Sequence, residues 1–358
     1  MDFTAFRENI GPRAIAMNWT EAVSNRTPYL GETLFPAKKK AGLDLAWIKG
    51  TKGVPVTLMP SAFDAKATFR DRIGVTKTET EMPFFREGYK LKEKDRQEIL
   101  RALDTNDPYV REVIARVFDD ARNLIEGALV VPERMIMQLL FAENGNVGIT
   151  IKANGVDYTY NYDPNGDWKS TNYVALSGTA LWTATSTADP FADIQTGKDA
   201  VAAKGGQTAY AAMNSTTFRL LRSVDAIKNR FLTVNGLSVG YLSDRDIANV
   251  IKDTADLQGI IVYDKQYADE NKQVHKFVPD GYVALLPDGQ LGNTWRGTTP
   301  EEADLMGKAI ADVSIVENGI AITQETTVNP VNVNTYASEI VLPSYERMDE
   351  VALLKVIA

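Results

Sequence analysis

The residues able to do chemistry in this 358-residue chain are few, and their spacing suits positioning better than catalysis. There are no cysteines and a single histidine, His275. Without thiols the chain makes no disulfide, no thiolate metal site and no cysteine nucleophile. One imidazole cannot serve a site that needs two. His275 lies in the polar stretch Asn271-Lys272-Gln273-Val274-His275-Lys276, which reads as an exposed loop rather than the setting of a general base. Glu301-Glu302 and Asp119-Asp120 are adjacent carboxylates. Consecutive residues on a helix do not face each other, so these pairs make poor acid/base couples and read as solvated faces. Asp163, Asn165 and Asp167 begin a calcium-loop pattern, but Trp168 stands where that loop needs glycine, which leaves a tight turn. Gly197-Lys198 and Gly307-Lys308 lack the leading glycine of a phosphate loop, since Ala192 and Glu302 occupy those positions. No dinucleotide fingerprint is present. No catalytic residue, cofactor or metal is expected, and the chain reads as a non-enzyme.

Two other groups suggest contact rather than chemistry. Lys38-Lys39-Lys40, with Lys49 and Lys52, can meet DNA phosphates or serve as solvated charge on an extended arm, and the residues alone leave both readings open. Phe3, Phe6 and Trp19 are aromatic residues in a region of little other apolar content, and are expected to insert into a partner. The net charge of −8 argues against a dedicated nucleic-acid binder. Hydrophobic residues at 44% and charged residues at 24% are ordinary for a globular protein, and the length allows two or more domains. Met1 to Asn18 lacks the apolar core of a signal peptide, and no run of 18 apolar residues offers a membrane span. A cytosolic product without export is the simplest expectation.

The elements that would position these residues are led by one long amphipathic helix, Asp107 to Glu143. Asp107 suits its cap and Pro108 its first position. Val110, Val113, Ile114, Val117, Phe118, Ala121, Leu124, Ile125 and Ala128 recur at three and four. The run to Val131 spans about 35 Å. Pro132 is expected to break the pattern, with Glu133 to Ala142 continuing after a kink. Ahead of it, residues 1–42 read as a poorly packed arm interrupted by Gly11-Pro12, Thr27-Pro28 and Phe35-Pro36. Leu43, Leu45 and Trp47, then Val54, Val56 and Leu58, alternate on either side of Lys49-Gly50-Thr51-Lys52-Gly53, which predicts a hairpin with a basic, glycine-rich tip. Residues 60–92 read as polar and extended.

After the long helix, Val147, Ile149 and Ile151 lead to Asn154-Gly155, and Val156, Tyr158, Tyr160 and Tyr162 lead away: a second hairpin. Residues 163–188 read as a loop. Helices are expected from Asp189-Pro190 to Gly205-Gly206, after a Ser215 cap and after a Ser243 cap, with strands at Ile260 to Tyr263 and Val283 to Leu286 around a central sheet. Residues 287–310 read as a glycine-rich loop and a polar segment. Ser338 to Leu342 and Glu350 to Ile357 read as two closing strands.

In this order the pieces resemble the α+β fold of tailed-phage major capsid proteins of the Hong Kong 97 (HK97) type, and more closely the lambda-like major capsid protein E family. Thr27-Pro28-Tyr29-Leu30-Gly31-Glu32-Thr33-Leu34-Phe35-Pro36 resembles the family's N-terminal segment. Asp189-Pro190-Phe191-Ala192-Asp193-Ile194, followed by Lys204-Gly205-Gly206, resembles the start of its axial domain. Lys276-Phe277-Val278-Pro279-Asp280, Val283 to Leu286 and Gly292-Asn293-Thr294 resemble its later part. The likeness runs from about residue 27 to residue 358.

The resemblance implies an N-terminal arm at 1–36, an extended E-loop at 37–95, a P-domain at 96–164 and an A-domain at 165–330. It further implies a return strand in the P-domain at 331–345 and a final strand in the A-domain at 346–358. It implies a head shell of pentamers and hexamers around double-stranded DNA, assembled in the host cytoplasm and ending in the virion. The partners implied are other copies of the chain, a separate scaffold protein, a portal protein, weak non-specific contact with DNA, and an open role for a decoration protein. No membrane is involved. Phe3, Phe6, Trp19, Leu43, Leu45, Trp47, Lys49, Lys52, Val54, Val56 and Leu58 are the candidate inter-subunit contacts. Some relatives join subunits by a Lys–Asn isopeptide bond. Lys49 and Lys52 sit where such a lysine would, but no matching Asn and Glu is evident, and the lambda-like branch is not known for that bond. An encapsulin shell of the same fold and a carboxylate-dependent hydrolase are the alternatives.

Overall fold

A computed structural model of the protein describes residues 11–23, 26–49, 76–94, 97, 109–153, 155–235, 243–306, 312–329 and 331–358. The chain opens with α1 (Pro12–Val23), α2 (Leu30–Leu34) and β1 (Ala37–Lys39), then β2 (Asp44–Lys49), β3 (Thr76–Glu81) and β4 (Phe84–Leu91). The long helix α3 (Tyr109–Leu140) leads to the hairpin β5 (Gly148–Ala153) and β6 (Val156–Asn161). Next come α4 (Asp167–Asn172), β7 (Tyr173–Ala175), α5 (Pro190–Ala203), β8 (Tyr210–Met213), α6 (Ser215–Ser223), α7 (Asp225–Asn235), α8 (Asp244–Ala255) and β9 (Gly259–Val262). The chain finishes with β10 (Gln266–Ala268), β11 (Val274–Lys276), β12 (Tyr282–Leu286), β13 (Asn293–Arg296), β14 (Asp312–Val316), β15 (Ile320–Thr326), β16 (Val333–Ser344) and β17 (Ala352–Lys355).

Two compact units result. The first takes the described residues of 1–46, 79–133 and 293–344; the second takes those of 47–78, 134–292 and 345–358. In the first unit a sheet in the order β1-β13-β16-β15-β14 is completed by β4, which also pairs with β16. The twelve residues of β16 organise it. Their first part lies between β4 and β15, and their last part pairs with β13. Ile320, Ile322 and Ala337 from this sheet pack with Ala121, Leu124, Ile125 and Leu129 of α3. The three-and-four spacing of the helix thus meets the period of two in the strands. Strands β13, β14 and β15 all belong to this unit.

In the second unit a five-stranded sheet in the order β7-β17-β12-β8-β9 carries the core. All five residues of β12 are buried, which is why its sequence shows an unbroken apolar run rather than alternation. Ile194 and Val201 of α5, Phe218 and Leu221 of α6, Ile227 of α7, and Ile247 and Ile251 of α8 pack into the same core. Asp189 accepts hydrogen bonds from the N–H groups of Phe191 and Ala192, with Pro190 at the first helical position. Ser243 and Asp246 form a reciprocal capping box. Both caps fall where the sequence puts them. The cap of α6 is Asn214, one residue before the expected Ser215.

Several expectations are corrected. Helix α3 runs unbroken through Pro132. Proline forfeits one backbone hydrogen bond, but Leu129, Met135, Ile136, Met137, Leu139 and Leu140 around it are all buried, and their packing holds the helix. Strand β2 pairs with β3, which begins at Thr76; the expected partner run at Val54, Val56 and Leu58 lies outside the described residues. Alternation marks a strand without naming its partner. The stretch read as polar and extended contains β4, an integral strand of the first sheet. The expected loop at 163–188 holds α4 and β7, and the expected loop at 287–310 holds β13. The arm is less loose than its sequence suggests: α1 packs on α3 through Ile15 and Trp19, Phe35 is buried, and β1 lies parallel to β13.

Candidate functional site

The chemistry-bearing residues are dispersed and each is tied down. His275 is exposed on β11, where its Nε2 lies 3.0 Å from Asp269 Oδ2. Asp269 also accepts from the backbone N–H groups of Asn271 and Gln273. The Gln273 N–H, then the His275 ring, hold its carboxyl below the usual range. This is the internal brace of a tight hairpin turn. Asp163 accepts from the N–H groups of Trp168 and Lys169, and so caps α4 from a short distance upstream. Among the described residues no three His, Cys, Asp or Glu side chains gather as metal ligands.

Glu301 and Glu302 depart from the reading of a solvated pair. Glu301 is buried and pairs with Arg86 of β4, whereas Glu302 pairs with Lys39 of β1 at 2.5 Å. Adjacent carboxylates point apart, as helical geometry requires, and each reaches a different strand. The same contacts bear on the lysine cluster. Lys39 is bound to Glu302, Lys38 stands over the Trp295 ring at 5.7 Å, and Lys40 donates to the Asp44 carbonyl at 2.7 Å. These lysines therefore brace the start of the chain against its own unit.

A cleft in the second unit is lined by residues of α3, the β5 region and the β10–β11 hairpin, among them Arg134, Gln138, Tyr267 and Lys276. Three of its polar groups have partners within the same unit. Arg134 pairs with Glu270 at 2.7 Å, and Lys276 pairs with Asp280 at 2.7 Å. Gln138 both donates to and accepts from the Thr150 backbone, mimicking a neighbouring strand.

The predicted contact residues fall into three groups. Trp19 is 4% exposed within its own unit, packed with Ile15, Ile125 and Ile320, and its Nε1 donates to Glu317 Oε1 at 2.9 Å. It anchors α1 within the first unit. A tryptophan in an otherwise sparse segment marks where that segment docks, and the sequence does not tell which chain it docks on. Leu45 is buried, and so is Trp47, whose ring sits 5.4 Å from that of Tyr162. Leu43 is exposed at 42%, while its carbonyl accepts from the N–H of Met82. Lys49 ends β2, and its side chain lies outside the described residues, as do Phe3, Phe6, Lys52, Val54, Val56 and Leu58.

Two buried carboxylates were missed. Glu133 of α3 accepts a hydrogen bond from the N–H of Gly31 at 2.8 Å. It falls between Leu129 and Ile136 on the buried stripe, and a charge at an apolar position was the signal. Glu339 of β16 pairs with Arg296 of β13 at 2.7 Å, with both side chains almost fully buried. Burial pushes the Glu339 carboxyl up to about 7, outweighing the pull of Arg296 in the other direction. Glu339 Oε1 and Arg296 Nε have no hydrogen-bond partner among the described residues.

The family model described as phage major capsid protein E matches residues 14–356. Three solved structures are similar in fold. A phage-related protein from Bordetella bronchiseptica RB50 is 14% identical, with 94% of each chain covered and a TM-score of 0.53. A putative capsid protein of a prophage of E. coli CFT073 is 16% identical over 79% of this chain and 80% of that one, with a TM-score of 0.54. The cyanophage A-1(L) capsid protein is 12% identical over 90% and 91%, with a TM-score of 0.50. Comparison with curated proteins gives no match.

Proposed function

Since this chain belongs to the phage major capsid protein E family, we propose a division of labour for its parts within a shell built of many copies. The protein is a phage major capsid protein with the HK97-like fold; it self-assembles into the head shell and resides in the virion. Its role is structural. The first unit, with α3 and the β16 sheet, acts as the P-domain. The second unit, with the β12 sheet, acts as the A-domain. Strands β2 and β3 form the stem of the E-loop, through which one copy contacts its neighbour.

The observation that carries this reading is the β2–β3 ribbon, which among the described residues forms a two-stranded sheet of its own. Such a ribbon is marginal in water by itself. Leu45 and Trp47 anchor its base, and a neighbouring copy would stabilise the rest. Pentamers and hexamers arise from heterologous contacts that close by rotation, and many modest contacts per copy give a firm shell. A separate scaffold, a portal protein and, for some heads, a decoration protein complete the assembly in the host cytoplasm. Packaged DNA meets the inner surface weakly and without sequence preference. The family match favours this phage shell over an encapsulin compartment.

Deletion of Lys49 to Gly53 tests the ribbon. The expected result is a folded, soluble subunit that no longer forms shells in negative-stain microscopy, with or without the scaffold. Normal particles from this deletion would remove the E-loop from the lattice.

A further inference from the structure

Strands β10 and β11 pair through Gln266–Lys276, Tyr267–His275 and Ala268–Val274, in a two-stranded sheet apart from the unit's central one. So short a hairpin is marginal in water, and side chains must do much of the work of holding it closed. Two ties reach its turn. Glu270 pairs with Arg134 of α3 at 2.7 Å. Asp269 is held on both oxygens: its Oδ1 accepts from the N–H groups of Asn271 and Gln273, and its Oδ2 lies 3.0 Å from His275 Nε2. The Tyr267 ring joins the two ties. It meets the His275 ring at 5.5 Å and the Phe277 ring at 4.9 Å, and the Arg134 guanidinium stands 5.3 Å from its centre.

The ties answer differently to protons. A guanidinium stays charged at every pH the protein meets, whereas an imidazole changes charge near neutrality. Asp269, held below the usual carboxyl range by the Gln273 N–H and then by the His275 ring, is an anion throughout that span. The contact of His275 with Asp269 is therefore a hydrogen bond from a neutral ring in mild alkali and a full ion pair in mild acid, which is the stronger of the two. The other charges near the ring leave this sign unchanged. Arg134, the second cation at Tyr267, is already matched by Glu270, and Lys276 is paired with Asp280 at 2.7 Å. Lys272 lies in the exposed turn.

We propose that the β10–β11 hairpin is a proton-tightened latch, in which protonation of His275 fastens the wall that Tyr267 and Lys276 give to the cleft beside α3, and loss of that proton loosens it. The tightening is present in acid and fades as pH rises from about 5 to about 8, the span in which imidazoles lose their proton. Every group involved lies in the second unit, and the latch works within a single subunit, beyond and independent of the shell reading.

Amide hydrogen exchange of the purified full chain at about pH 5.5 and about pH 8 tests the latch. Rates at residues 266–276 are read against those of the β5–β6 hairpin in the same unit, which has no histidine. This ratio cancels the direct effect of pH on exchange and any change in the stability of the whole unit. The ratio is expected to fall about two- to fivefold in acid, the size that an ion pair partly open to water supports. His275→Gln keeps a donor for Asp269 but cannot take a charge. Asp269→Asn keeps an acceptor for the turn but loses the charge. Each variant is expected to abolish the pH dependence. A ratio that is the same at both pH values in the unaltered chain, or a pH dependence that survives in either variant, overturns the latch.

Discussion

The N–H of Gly31 donates to Glu133 Oε2 at 2.8 Å, across 102 residues of sequence, and this joins the opening segment to the long helix. Both Gly31 and Glu133 are buried. The bond gives a donor at the start of α2 the acceptor that a short helix cannot supply for itself.

Replacing Glu133 with alanine strands that buried N–H and opens space beside α2. The subunit should lose roughly 1–3 kcal/mol in urea unfolding. Glu133→Gln, which keeps a carbonyl acceptor, should lose clearly less. Equal losses would mean that the charge, rather than the acceptor, is what α2 requires.

The Arg296–Glu339 pair makes a pH prediction. The Glu339 carboxyl titrates near 7 in the fold against an ordinary value of 4.5. The folded state therefore holds a proton that the unfolded chain releases. This contribution to stability is full below about 4.5 and is lost as pH rises through about 7. Melting temperature should fall from pH 5 to pH 8, and Glu339→Gln should flatten that slope. A slope that Glu339→Gln leaves intact would assign the effect to another group.

Gly281 tests backbone constraint. Its φ is +78°, and a Cβ there would meet Ile357 Cγ1 at 2.0 Å. Its N–H donates to Thr217 Oγ1 at 2.8 Å, so the loop cannot shift freely. Gly281→Ala should cost about 1 kcal/mol for the left-handed conformation and about 1–3 kcal/mol more for the clash. An Ile357→Ala change in the same chain should recover most of the second part, as read by denaturant midpoints.

Trp168 is buried, and its Nε1 is shared between the carbonyls of Met348 and Val351 at 2.9 and 3.1 Å. Trp168→Phe leaves both carbonyls without this donor and should destabilise the second unit by about 1–3 kcal/mol. Hydrogen exchange should rise first at residues 348–351. Exchange that rises only in the first unit would contradict this local role.

Much of the fold can be read in local patterns. Asp189-Pro190 and Ser243 start helices because each cap satisfies backbone donors within three residues of itself. The β5–β6 hairpin follows from Asn154-Gly155, with Gly155 at φ +79°. The apolar run of β12 identifies a strand buried on both faces. The order of such elements, with the motifs beside them, sufficed to place the chain among phage capsid proteins.

Strand partners, burial of charge and docking choice were decided by the tertiary structure. Nothing in the alternation of Leu43, Leu45 and Trp47 names β3 at Thr76 as a partner, because period two sets faces and not neighbours. Glu301 and Glu339 look like surface charges in sequence, yet Arg86 and Arg296 reach them from strands 215 and 43 residues away. Trp19 had the composition of a residue seeking a partner, and its own helix α3 supplied one. Local propensity acts within a few residues, whereas which surface covers an apolar or charged side chain is a competition among the whole chain's surfaces, settled only when the chain has folded.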